Sequence, residues 1–273
     1  FCSLSIAAAI GMSILAGTAA AKETTTGVGF DFNQNDGGFT PIFSDYPNEQ
    51  GVEEFYELRS GHEEVPIAEA GKGLFLSGNN HSDDLFMGYY KDLSGLVPET
   101  EYQFTVRFQL ATNVENDMIG IGGAPGESVF VKCGVASEEP ENSLDSLNHF
   151  RLNIDKGSQS TGGADMIVVG NLAKKEINRP GEYEFNEIET KVIARTDEAG
   201  TAYLVIGTDS GFEGVTSYYL DDISVSWADT ATVSITRGDA VKMLFDHAHR
   251  WDEAVGPPTF TDVAWDAPYA EAV

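Results

Sequence analysis

Basic residues are scarce in this sequence. Sixteen Lys and Arg stand against 44 Asp and Glu, a net charge of −28. So acidic a surface repels nucleic-acid phosphates and anionic lipid headgroups, so no nucleic acid and no lipid surface is expected as a partner. Cysteine is nearly missing too. Cys2 stands at the start of an apolar stretch, whereas a lipid-modified cysteine follows one, and Cys133 is left without a disulfide partner. Stability therefore has to come from a packed core, with a bound metal as one further source. Helical periodicity of useful length is absent before residue 236, which argues against an α/β enzyme fold. There is no Gly-x-Ser-x-Gly elbow and no phosphate loop ending in Gly-Lys-Ser/Thr. Gly120–Gly126 is glycine-rich but contains Pro125 and precedes a strand pattern, so it reads as a turn and no nucleotide is expected. His247 and His249 lie two apart in a helical pattern and point to different faces, and His62, His81 and His149 are isolated, so zinc is unsupported. The expectation is a protein with no catalytic residues and no enzymatic activity.

What is present begins with an export signal. Leu4 to Ala21 carries no charge, and Ala19-Ala20-Ala21 before Lys22 has the small residues of a cleavage site, which makes 1–21 a signal peptide. The other reading is an uncleaved N-terminal anchor, the one route to a membrane; the Ala, Gly and Ser content makes it a weak span. On either reading the remainder is secreted or held at the cell surface. The acidity has two open explanations, solubility in a saline habitat and divalent-cation binding by clustered carboxylates.

From residue 22 to 228 the pattern is β. Val28–Phe32 alternates, and further strands are expected at 54–59, 72–77, 84–91, 101–111, 128–136, 148–154, 165–169, 182–195 and 201–207, most bounded by Gly, Asn, Asp, Ser or Pro. In the last strand Tyr219, Asp221, Ile223, Val225 and Trp227 share one parity, which places Asp221 among apolar residues. A carboxylate there requires a partner, a hydrogen bond or a metal. Between two strands lies Asn79-Asn80-His81-Ser82-Asp83-Asp84, with Tyr89 and Tyr90 close behind. Aromatic faces with amides and carboxylates are the chemistry of sugar binding, so Asn79, Asn80, His81, Asp83, Asp84, Tyr89 and Tyr90 are candidate ligand residues. The same composition also suits an ordinary polar loop that satisfies its own turn.

Several segments resemble jelly-roll carbohydrate-binding modules. These are Phe30-Asp31-Phe32 followed by a Gly-Gly-Phe turn, the strand–loop–strand run from Leu74 to Tyr90, Leu96-Val97-Pro98 leading into the aromatic strand to Phe108, and the closing Tyr218-Tyr219-Leu220-Asp221-Asp222-Ile223-Ser224-Val225-Ser226. The resemblance implies an all-β, galactose-binding-like jelly-roll β-sandwich that binds a glycan. It also implies a structural calcium ion (Ca2+), with Asp31, Asp221 and Asp222 as its candidate ligands.

At Thr236 the period changes. Val241, Leu244, Phe245 and Ala248 fall on one helical face, and Thr236 with Asp239 forms a helix start. Ile235–Leu244 followed by Phe-Thr-Asp-Val and Pro-Tyr-Ala-Glu-Ala-Val resembles an S-layer homology module. That resemblance implies a linker at 229–234, a truncated helical module at 235–273, and cell-wall polysaccharide held by Thr236 and Arg237. A helix N-terminus beside a guanidinium suits an anionic sugar substituent.

Overall fold

The computed structural model describes residues 26–175 and 180–230. The expected signal peptide and the S-layer homology segment, with Thr236 and Arg237, lie outside the described residues. The chain divides into two units, one ending at Ala228 and one beginning at Asp229; the strands belong to the first.

It is an all-β jelly-roll sandwich. One sheet contains β1 (Thr26–Phe30), β3 (Arg59–Glu64), β4 (Lys72–Asn79), β6 (Glu101–Thr112), β11 (Glu184–Arg195) and β13 (Val215–Asp229). Its order is β11-β6-β13-β4-β3, with β1 also on β13. The other contains β2 (Thr40–Ser44), β5 (Leu85–Leu93), β7 (Val129–Ala136), β10 (Met166–Asn171) and β12 (Ala202–Ser210), in the order β10-β7-β12-β5-β2. Between β7 and β10, residues 137–165 carry a small hairpin, β8 (Asn142–Leu144) with β9 (Phe150–Leu152).

Period-2 alternation builds the core. Along β6, Tyr102, Phe104, Val106, Phe108 and Leu110 are buried, while Gln103, Thr105, Arg107 and Gln109 lie on the other face. They meet Leu85, Met87 and Tyr89 of β5, Val131 and Cys133 of β7, and Leu204 and Ile206 of β12 in one apolar cluster. Each such side chain stabilises the fold by roughly 1.5–3 kcal/mol. Burial pushes the Cys133 thiol up to about 12, so it packs as a small apolar group and is chemically quiet.

The structure corrects two expectations. Residues 54–59 are not a strand. Val52–Phe55 is a single helical turn, α1, entered through a left-handed Gly51. Glu53 and Glu54 suit a helix start, and Val52 and Tyr56, four apart, are both buried by it. The parity of β13 also differs. Tyr218 and Leu220 point into the core, and so do Ile223 and Val225. Asp222 adopts φ 44°, and this one left-handed residue shifts the alternation by one position. Asp221 therefore belongs to the outer parity with Tyr219.

Candidate functional site

The loop following β4 does not act as one surface. Asn80 is buried; its amide donates to the Ser210 and Phe212 carbonyls, both at 3.0 Å, and its Oδ1 accepts from Ser82 N at 3.0 Å. Asn80 staples this loop to the end of β12. Tyr89 is also buried, its hydroxyl donating to the Phe75 carbonyl at 3.1 Å and accepting from Gly61 N at 3.1 Å. Neither residue offers a face to a ligand, which corrects the expected assignment of both. Tyr90 is half-buried and donates to Glu139 at 3.1 Å.

The other members of the loop stay accessible. Asn79 donates to Glu57 at 2.8 Å, and Asp83 is exposed with φ 58°. His81 lies flat on Phe55, with centroids 4.1 Å apart and planes 24° from parallel, and one of its ring nitrogens is 3.1 Å from the Phe55 carbonyl. Phe55 is 61% exposed. The result is an aromatic platform beside an amide and two carboxylates. Phe55 was not legible as a ligand residue, because a strand through 54–59 does not place it next to His81.

Asp84 belongs to a second assembly, on the outer face of the sheet formed by β2, β5, β7, β10 and β12. Two central glycines keep that face low. A Cβ on Gly88 would meet the Phe86 ring at 3.1 Å, and one on Gly207, opposite Gly88, would meet it at 3.0 Å. Residues 137–165 cover this surface, tied down by Asp45 N to Phe150 O and Phe150 N to Tyr46 O, each 2.9 Å, and packed through Ile154. Beneath them Lys132 is fully buried and donates to Asp209 Oδ2 at 2.8 Å and to the Lys156 and Thr161 carbonyls at 2.7 and 3.1 Å. Lys156 reaches the same Asp209 oxygen at 2.8 Å and stands 2.8 Å from Asp45 Oδ2. Arg151 joins Asp45 at 2.7 Å, Asp145 at 3.1 Å and Asp84 at 3.2 Å.

Asp45, Asp84 and Asp209 each bring an oxygen within 4.8 Å of the others, the grouping that a cation would use. Yet protein cations already hold those positions. Burial would lower the Lys156 pKa, but Asp209 and Asp45 outweigh it and hold the pKa above the usual lysine value. Burial lowers that of Lys132 despite Asp209. A metal does not fit among three side-chain cations at these distances. Asp84 bears the remaining strain. Burial, then Asp45 and Asp209, raise its pKa to about 6, and its Oδ1 accepts no hydrogen bond among the described residues.

The expected calcium residues form a third place. Asp31 and Asp222 line a hollow of about 350 Å³ with Phe30, Phe32 and Asn35. Asp221 is only 5% exposed and accepts Asp222 N at 2.8 Å. Burial raises its pKa to about 6, and the neighbouring Asp222 and Asp31 add to the rise. No Lys or Arg takes part in that balance. Carboxylate oxygens are ligands that calcium uses, but the three acids that converge within 4.8 Å among the described residues are Asp45, Asp84 and Asp209, and Asp221 does not line the hollow.

No family model matches the chain, and no curated protein matches it. Solved structures do. The CBM22-1–GH10 modules of a Clostridium thermocellum endo-1,4-β-D-xylanase, complexed with xylohexaose, are 16% identical with TM-score 0.37, over 74% of this chain and 28% of that one. The CBM27-1 module of Caldicellulosiruptor saccharolyticus, in complex with mannohexaose, is 11% identical with TM-score 0.37, over 73% and 96%. An adhesin domain of Lys-gingipain from Porphyromonas gingivalis is 12% identical with TM-score 0.34, over 73% and 97%. This chain thus spans about a quarter of the xylanase structure and most of the other two.

Proposed function

We propose that this chain is an exported, non-catalytic glycan-binding module, displayed at the cell surface through the S-layer homology segment, with Thr236 and Arg237 holding cell-wall polysaccharide. The observation that carries the glycan reading is the open ring of Phe55, stacked on His81 beside Asn79 and Asp83. A pyranose presents an apolar C–H face to such a ring and hydroxyls to the amide and carboxylate. The absence of catalysis is supported by the state of the three convergent carboxylates, which lysine and arginine engage beneath residues 137–165. A structural calcium ion at Asp31, Asp221 and Asp222 is supported by the uncompensated charge there.

A glycan array probed with the full chain tests this. Binding to at least one glycan class, lost in both Phe55→Ala and His81→Ala, is the expected result. Binding that survives both substitutions moves the site elsewhere. No binding at all favours an adhesive surface protein, a reading that the exposed Ile119 and Ile121 also support.

A further inference from the structure

The platform stands in unusual company. Four loops meet at this end of the sandwich, joined by backbone hydrogen bonds from Asn79 N to Tyr56 O at 2.6 Å, Asn80 N to Gly214 O at 3.0 Å and Glu213 N to Ile121 O at 2.9 Å. They expose apolar side chains: Ile119 is 98%, Ile121 70%, Phe55 61% and Val215 57% accessible. Residues 49–57, 79–84, 117–122 and 211–215 contain eight Asp and Glu and no Lys or Arg. Glu53, Glu54, Asp83 and Glu213 form no salt bridge to any described residue, while Glu57 accepts from the Asn79 amide. Asp83 and Glu213 are brought close to one another, since a Cβ on Gly122 would lie 2.9 Å from Asp83 Oδ1 and 3.3 Å from Glu213 Cγ. On the outer face of the β6–β11 pair, by contrast, Arg107 answers Glu189 and Gln109 answers Glu187.

An apolar surface rimmed by unanswered carboxylates complements a ligand with apolar faces and repeated positive charge. Resting on the glycan reading above, we propose that the loop end selects a glycan of free 2-amino sugars, a deacetylated glucosamine polymer, over neutral and uronic acid polymers. The pyranose C–H face stacks on Phe55, and ammonium groups on neighbouring rings face Glu53, Glu54 and Glu213. Uronic acids meet like charge and are excluded. Each exposed carboxylate–ammonium pair is weak, and two or three together amount to roughly tenfold in affinity at low salt. That gain fades as salt screens it.

The test is calorimetric titration of the full chain with glucosamine hexamer, its fully N-acetylated counterpart and cellohexaose, in mildly acidic buffer where the free amines are charged. The expected result is roughly tenfold tighter binding of the free amine, a preference that Glu53→Gln/Glu54→Gln/Glu213→Gln removes and Glu187→Gln/Glu189→Gln does not. Equal affinity for all three ligands, lost in Phe55→Ala, overturns the amine preference and leaves the glycan reading standing. If none binds, the amine preference is overturned, and the glycan array alone decides the glycan reading. A preference that the Glu187/Glu189 variant weakens as much as the loop-end variant reports bulk charge only and overturns the proposal. So does binding of a hexalysine peptide without any glycan, which would make the surface a peptide site.

Discussion

Two groups of aspartates in this molecule meet opposite conditions. Asp45, Asp84 and Asp209 face Lys132, Arg151 and Lys156, which arrive from β7 and from the 137–165 cover. At Asp221, beside Asp31 and Asp222, no base enters the balance, and burial, then its two neighbours, push it up to about 6. The first group is neutralised by the chain itself, so its charge balance forms when the cover docks. Asp221 has no such partner in its balance, so a proton, or the proposed cation, is what would neutralise it. Two clusters of the same residue type thus couple the fold to different variables.

The largest effect is expected from removing a built-in cation. Lys132→Met leaves Asp209 with one ammonium where it had two, deep under the cover, and is expected to cost roughly 3–5 kcal/mol in urea unfolding. A loss below about 1 kcal/mol would put the network on the level of a surface pair and erase the contrast. Next comes calcium. At a hundredfold excess over its dissociation constant it adds about 2.7 kcal/mol to the wild type relative to EDTA, and Asp221→Asn is expected to abolish most of that gain in a thermal melt. An equal response in the variant would place the ion elsewhere.

A third test concerns the member of the first group that is incompletely neutralised. The folded pKa of Asp84, about 6, lies above the ~3.9 of an unfolded aspartate, so the folded state holds the extra proton between these values. Ionisation of Asp84 therefore weakens the fold as pH rises from about 4 to 6. Asp84→Asn is expected to flatten that stretch of the stability curve and to gain on the wild type at neutral pH compared with pH about 4. Parallel curves would show that Asp84 is fully answered by Arg151. The smallest effect is expected at the loop end. Phe55→Ala, at an open position, changes stability by no more than about 0.5 kcal/mol in the same melt, so a loss of glycan binding there reports contact and not unfolding.

Alternation made most of the sandwich legible. Strands such as β6 and β7 show their inward residues in the order of the letters. The bulge in β13 was not legible, because it is the backbone angle of one residue and the pair Asp221-Asp222 does not say which of them turns left-handed. Asn80 and Tyr89 have the composition of a sugar site, but burial depends on what comes over from β12 and β3, which no local window contains. The ion network draws on five separate stretches of chain. It left one local trace: Lys132 interrupts the apolar run of β7, and Asp209 ends that of β12, positions where a charge demands a partner. The Phe55–His81 stack hinges on one helical turn, and short turns carry little periodicity to read.

The pairing of β1 with β13 places Thr26 opposite Trp227 and Phe30 opposite Ile223. The first and last strands of the sandwich therefore start and finish side by side. Tension between those two ends loads the ladder one rung at a time, beginning at Thr26, and peels a short, exposed strand before it reaches the buried core. Under pull between these ends, β1 is expected to part from β13 first, while the loop end and its platform keep their shape.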